Sequence, residues 1–329
     1  MNVEQLRAFV AAAIASPSVH NVQPARWRIE GVGERGALVL LEDTSRRLTV
    51  GDPRGNDAAI SLGAAAEGAA IAASGAGLVT RIERLSGKEA DGLRPAARLT
   101  FAAGAAPDPL LAVLETRASW RGGFLPPTAQ DRTAAQALAG EDRVIIGDPA
   151  EITAVAALYD RASFGIMRGD AFRAELRHWM RLSPRHPDWA RDGLNAAAMR
   201  LSGIEATAAG AVLGPLFRPL AAVGLAPALL AEAKGFANAA AVVLFHRAAD
   251  EDPFDSGRAF HRLWLEVDAR GLGGNVLAAL ADDKAAAAAL CEAHGIGPER
   301  RLVSALRIGR REGAPFPRAR LPLSEVLVG

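Results

Sequence analysis

Residues 117–121 read Arg-Ala-Ser-Trp-Arg, and two further arginines, Arg318 and Arg320, stand near the end of the 329-residue chain. Spaced by two and four, Arg117, Ser119 and Arg121 could converge on one phosphate, because guanidinium–phosphate contacts are charge-assisted and can be bidentate. Each such contact is worth about 1.5–3 kcal/mol. The plain alternative is a solvated basic face, since a chain with 38 Lys and Arg contains some such pairs by accident. A second polar group is Ser16-Pro17-Ser18-Val19-His20-Asn21-Val22-Gln23-Pro24. Asn21 and Gln23 each supply a donor and an acceptor, which suits the edge of a planar heterocycle. Equally, Ser and Asn in such a run cap helices and close turns.

Other motifs carry less. Gly31-Val32-Gly33-Glu34-Arg35-Gly36 fits G-x-G-x-x-G, but Ala37-Leu38-Val39-Leu40-Leu41 follows as a strand where a dinucleotide site needs a helix. That run is a glycine-rich hairpin. Cys291 and His294 have ligand spacing without a second pair, and with one cysteine neither a disulfide nor a cysteine-based metal centre is expected. No G-x-S-x-G elbow is present to support a hydrolytic triad. A net charge of +1 offers no field for nucleic acid or an anionic membrane, so any anion site must be local. The apolar stretch 206–231 is broken by Pro215, Arg218, Pro219 and Pro227, too often for a membrane span. The early AFVAAAIA has Glu4 beside a lone Arg7 in its leader, unlike a signal peptide. A cytoplasmic location is expected.

The elements that must position these residues follow from pattern. Leu6, Phe9, Val10 and Ile14 predict a helix over 3–15, and 25–32 with 37–42 a hairpin. A small-residue helix is expected over 60–78, a strand over 97–101, and a joint near residue 107. The second half reads as a helix at 110–117, a strand at 144–147, helices across 150–182, an apolar segment 199–233, a strand at 240–245, helices at 256–270 and 283–294, and a strand at 302–308. Gly63 and Gly257, Gly77 and Gly271, and Leu78 and Leu272 are each 194 positions apart, which suggests an internal repeat.

Taken in order, these clusters resemble the FMN-dependent nitroreductase family: Arg117-x-Ser119-x-Arg121, Pro17-Ser18-x-x-Asn21-x-Gln23-Pro24, Gly271-Leu272-Gly273-Gly274 closing a late helix, and Arg318-x-Arg320. In that family the arginine segment precedes the loop within one subunit, whereas here the loop comes first. Ala25-Arg26-Trp27 also stands where the family has Trp directly after Pro. The arrangement is similar to the Acg-like fused branch, in which one chain imitates a dimer.

The resemblance implies an α+β fold of two sheet-and-helix halves forming a pseudo-dimer. Residues 1–107 would supply the loop against the isoalloxazine. Residues 108–329 would supply the phosphate site, with a lid insertion at 182–233 and a C-terminal tail crossing to the first half. It implies FMN phosphate contacts from Arg117, Ser119, Arg121, Arg318 and Arg320. Ring-edge contacts would come from the Pro17-Ser18 turn, Asn21 and Gln23, and backbone donors from Gly273 and Gly274. No side chain need be catalytic, since the flavin carries the chemistry. NAD(P)H would reduce it and a small electron-poor acceptor would reoxidise it, in a monomeric pseudo-dimer or a homodimer. A lid-closed protein that sequesters FMN without turnover is the alternative, and an interaction scaffold with accidental clusters a third.

Overall fold

The computed structural model describes residues 1–314, 316 and 318–329; Pro315 and Pro317 of the tail lie outside the described residues. The chain opens with α1 (Val3–Ala13), started by a capping box between Asn2 and Gln5, and its Leu6, Phe9, Val10 and Ala13 enter the core at helical spacing. The first half continues through β1 (Ala25–Glu30), β2 (Ala37–Asp43), α2 (Asn56–Ser74), β3 (Leu78–Arg84) and β4 (Leu93–Ala103). These strands form an antiparallel sheet in the order β1–β2–β4–β3.

The second half runs α3 (Ala129–Gln136), β5 (Arg143–Ile146), α4 (Pro149–Met167), α5 (Asp170–Trp179), the two-residue pair β6 (Met180–Arg181) and β7 (Leu194–Asn195), then α6 (Gly203–Val212), α7 (Phe217–Ala222) and α8 (Ala226–Leu230). It continues through β8 (Ala241–Ala248), α9 (Pro253–Ala269), β9 (Leu272–Val276), α10 (Ala279–Asp282), α11 (Lys284–Ala293), β10 (Arg300–Arg310) and α12 (Leu323–Val326). The second antiparallel sheet has the order β5–β8–β10–β9.

The fold is therefore α+β with two halves of one topology: helix, two strands, central helix, two strands, in equivalent sheet orders. They differ in two connections. A turn through Gly31 and Gly33, at φ of +70° and +69°, joins β1 to β2. Residues 147–240, carrying α4 to α8, join β5 to β8. In the other connection, α10 and α11 lie between β9 and β10, where residues 85–92 join β3 to β4 directly.

The halves meet where α2 crosses α9. A Cβ on Gly63 would lie 1.9 Å from the Phe254 carbonyl oxygen, and one on Gly257 would lie 2.1 Å from that of Ile60. Ile60 and Phe254 are separated by the same 194 positions as the two glycines. The contact is thus reciprocal, as a twofold relation demands. Gly77 and Gly271, also 194 apart, take φ of +73° and +75° and lead into β3 and β9.

The tail crosses as expected: Leu321 and Val326 are buried among Leu6, Trp27 and Leu38 of the first half, and the Val328 N–H donates to the Trp27 carbonyl at 2.8 Å. Other expectations need correction. The helix anticipated at 110–117 is a single 3₁₀ turn over Pro109–Val113. The glycine run closes the late helix α9 through Gly271, at φ of +75°, but its Leu272-Gly273-Gly274 goes on as strand β9. α2 ends at Ser74, so Leu78 begins β3. β3 and α3 were not anticipated.

Candidate functional site

The arginine segment leaves the 3₁₀ turn and runs along the open edge of β9. Ser119 bridges Gly274 in parallel, and the Trp120 N–H donates to the Gly274 carbonyl at 2.8 Å. The two glycines permit this approach. A Cβ on Gly273 would meet the Trp120 side chain at 3.0 Å, and one on Gly274 the Trp264 indole nitrogen at 3.1 Å.

Arg117 turns inward and is 1% exposed. Its guanidinium lies 4.5 Å from the Trp264 ring and donates to the Ala15 carbonyl at 2.8 Å, while its Nε has no partner. Arg320 donates to the same carbonyl at 3.3 Å and to Asn21 Oδ1 at 2.7 Å, again leaving Nε unpartnered. Arg318 donates to the Glu115 carbonyl, and Arg311 to the Asp268 carboxylate. Ala15 follows the C-terminus of α1, whose carbonyls favour cations.

Four guanidiniums therefore gather where only Asp268 forms an ion pair with any of them among the described residues. Burial lowers the Arg117 pKa, and repulsion from Arg320, Arg318 and Arg311 lowers it further. Burial, with Arg318 second, pulls Arg320 down to about 10. Buried charge without a counter-ion is costly, and an anion bound among the four would relieve it.

His261 on α9 adjoins this cluster. Its Nδ1 lies 2.8 Å from the Ala64 carbonyl, its Nε2 has no partner, and burial followed by Arg117 brings it to about 3, so the ring is neutral. The Ser16 hydroxyl and the Trp264 N–H are likewise buried without partners. Arg311, His261 and Trp264 were not singled out in the sequence; they come from elements far from residue 117, with no spacing that links them.

Arg121 does not join Arg117. The charges around it are Glu232 first and the Tyr159 hydroxyl second, and burial lowers its pKa. The R-x-S-x-R pattern is thus divided between two places.

The loop between α1 and β1 is strained. His20, Asn21 and Gln23 take φ of +43°, +56° and +52°, each in the left-handed region that costs a side-chain-bearing residue about 1–3 kcal/mol. Many hydrogen bonds hold it there. The Gln23 N–H donates to Ser18 Oγ at 3.0 Å, and the Val19 N–H to Ser61 Oγ at 3.2 Å. The Asn21 amide donates to the carbonyls of Gly193 and Ala319, both at 3.1 Å. The Gln23 amide donates to the Arg191 carbonyl at 2.8 Å, and its oxygen accepts from the Leu321 N–H at 2.9 Å. Asn21 and Gln23 therefore spend their amides on residues 191–193 and the tail, not on a free edge. Pro17, Ser18 and Gln23 border a cavity of about 30 Å³, the room of a single water. His20 Nδ1 is buried without a partner, and burial, then Arg121, lowers the ring to about 4.

The segment 182–233 has two parts. Asp192 pairs with Arg181 at 2.7 Å and also with Arg46, which fixes residues 189–195 between loop and tail. α6 to α8 lie outside, with Ile204, Val223 and Leu229 exposed.

No family model and no curated protein matches the chain. Solved structures do. The FMN and NADPH-dependent nitroreductase NfnB from Sphigopyxis sp. strain HMH is 17% identical, over 67% of this chain and 98% of that one, with a TM-score of 0.36. A BluB-like flavoprotein from Clostridium difficile 630 is 16% identical, over 68% and 99%, with a TM-score of 0.37. A candidate nitroreductase from Anabaena variabilis ATCC 29413 is 10% identical, over 94% and 88%, with a TM-score of 0.48. These likenesses are too distant to speak for the chemistry, which rests on the residues of this chain.

Proposed function

We propose that the protein is an FMN-binding oxidoreductase that takes reducing equivalents from NAD(P)H and passes them to a small electron-poor acceptor. The observation that carries this reading is the cluster of buried Arg117 with the half-buried Arg311, Arg318 and Arg320 where the halves meet, with a single ion pair, that of Arg311 and Asp268, among the described residues. Such a cluster fits a phosphate monoester, which brings up to two negative charges and three acceptor oxygens. Arg117 and Arg320 would grip the phosphate from the Ala15 side, with Trp264 stacked beneath Arg117 and neutral His261 beside it. FMN, when bound, supplies the redox chemistry. The protein binds and orients it: Ser119, Gly273 and Gly274 set the edge of β9 along which the arginine segment lies. Asn21 and Gln23 brace the loop, the tail and residues 191–193 as one unit.

That bracing favours a second reading. A site closed by residues 189–195 and the tail would hold FMN without admitting nicotinamide, making the protein a flavin store. The visible spectrum of the purified protein, followed by anaerobic NADPH or NADH, separates the two at the oxidised-flavin band near ~450 nm. One FMN per chain that bleaches supports the oxidoreductase, and one that stays oxidised supports the store. Protein that is colourless and takes up no FMN refutes both.

A further inference from the structure

Beside the arginines lie buried polar atoms that have no hydrogen-bond partner among the described residues. Ser16 follows Ala15, the residue whose carbonyl accepts from Arg117 and Arg320, and its hydroxyl is one of them. The Trp264 N–H, on the ring against which the Arg117 guanidinium stacks, is another. His261 stands three residues earlier on α9, on the same face of that helix, and is fully buried with its Nε2 unpartnered. Gly68 of α2 opens the space between loop and helix: a Cβ there would lie 2.4 Å from Ser16 Oγ and 3.4 Å from His261 Cε1. Hydroxyl and imidazole therefore border one spot.

The far side of the ring fixes which nitrogen carries the hydrogen. A carbonyl oxygen only accepts, so the 2.8 Å contact between Nδ1 and the Ala64 carbonyl places the hydrogen on Nδ1. Nε2 is then a bare lone pair. Burial keeps it so, and the charges of Arg117, from the arginine segment, and of Arg262, on α9 itself, act in the same direction. Glu67 of α2 is spent on Arg258 and Arg262, both at 2.9 Å. An anion held by the arginines beside this ring thus meets donors from Ser16 and Trp264 and one acceptor, His261.

We propose that His261 is the selectivity element of the arginine cluster: its Nε2 accepts the hydrogen of an anion that still carries an O–H group, a phosphate or a phosphate monoester holding one proton, and turns away a fully ionised anion of the same shape, such as sulfate. An ionised oxygen set against Nε2 leaves two lone pairs facing each other in a buried place, whereas an O–H satisfies both atoms. A site built to hydrogen-bond a hydroxyl discriminates strongly against the analogue that lacks it. This selectivity rests on the reading of the cluster as a phosphate site and adds the protonation state of what it takes. A phosphate monoester loses its second proton near ~6, so FMN should bind at pH 8 with uptake of a proton.

The test is calorimetric titration of the full-length protein, freed of any flavin, with inorganic phosphate and with sulfate at pH 8, where both are dianions and only phosphate keeps an O–H. Phosphate should bind at least about tenfold tighter than sulfate. His261→Gln, whose amide can turn an N–H toward either ion, should bring the two close to equal. Ser16→Ala removes a donor that serves both ions and should keep the preference. FMN titrated in buffers of different ionisation heat should show the proton uptake. Equal affinity for the two ions, no binding of phosphate, a preference that survives His261→Gln, or FMN binding without proton uptake would each overturn the proposal. If FMN binds while phosphate and sulfate bind equally, the selectivity falls and the flavin reading stands. A protein that prefers phosphate yet takes up no FMN would sink the flavin reading and leave the selectivity standing.

Discussion

Replacing Arg117 by methionine separates a ligand site from a structural knot, because the two predict opposite signs. In the free protein Arg117 contributes one hydrogen bond and a stacking contact, but it is buried against three like charges with no ion pair of its own. Exchanging a buried charge for an apolar side chain of similar length is typically neutral or stabilising by about 1–4 kcal/mol. The free variant should therefore melt at or above the wild-type temperature. With FMN the order reverses. At a hundred times the dissociation constant, ligand adds about 2.7 kcal/mol of stability. An unfolding entropy near ~2.1 cal/mol/K per residue makes that about 4 °C for a chain of 329 residues. Loss of one charge-assisted contact worth about 1.5–3 kcal/mol weakens FMN roughly 10- to 150-fold. The variant in the same FMN should then shift by less than about 1–2 °C. Thermal melts of both proteins with and without FMN, paired with calorimetric affinities, read all four corners. A variant that melts several degrees low without ligand, yet keeps the full FMN shift, would refute the assignment of the cluster to a phosphate.

Acid should weaken the fold through His261, whose folded pKa of about 3 lies below its ordinary 6.5. The unfolded chain takes up that proton first, so this contribution is whole above pH 6.5 and is lost as pH falls toward 3. Urea titrations of wild type and His261→Gln between pH 6.5 and 4.5 should diverge in slope by up to about 1.4 kcal/mol per pH unit, and parallel curves would disprove it. Gly63→Ala and Gly257→Ala drive a methyl into the facing helix backbone and should each cost about 3 kcal/mol or more, whereas Gly203→Ala, with open space around it, should be neutral or slightly stabilising in chemical denaturation. Asp192→Asn leaves buried Arg181 without its carboxylate, at a cost of about 3–5 kcal/mol, and should speed tryptic cleavage at Arg185 and Arg191.

Much of the frame was legible from the sequence because it rests on local signals. The hairpin over 25–42, the small-residue central helix and the 194-residue offset all follow from spacing and glycine placement. β9 was hidden by its own composition. Leu272-Gly273-Gly274-Asn275-Val276 is a poor strand by propensity, and its glycines answer to Trp120, Arg311 and Trp264 packed against them. β3 alternates over Leu78–Arg84 as an edge strand should, but a helix extended to Leu78 had absorbed its start. In the site, Arg117, Arg318 and Arg320 were found by residue type. The separation of Arg121 from them was not, because residues spaced by four diverge once the segment leaves the edge of β9. The saturation of Asn21 and Gln23 depends on partners 168 to 299 residues away, which no local pattern encodes.

The reciprocal seat of α2 on α9 has a further consequence. In an assembly of separate subunits, a site built across such a seam would empty on dilution, since its two sides would part at low concentration. Here the segment after β4 tethers one side to the other, so the arginines and the strained loop meet by an intramolecular step whose effective concentration is set by chain length. Cofactor affinity should accordingly be the same at nanomolar and micromolar protein. Each half can also carry its own additions: the second half joins β5 to β8 through 147–240 and β9 to β10 through 277–299, where the first half uses short links.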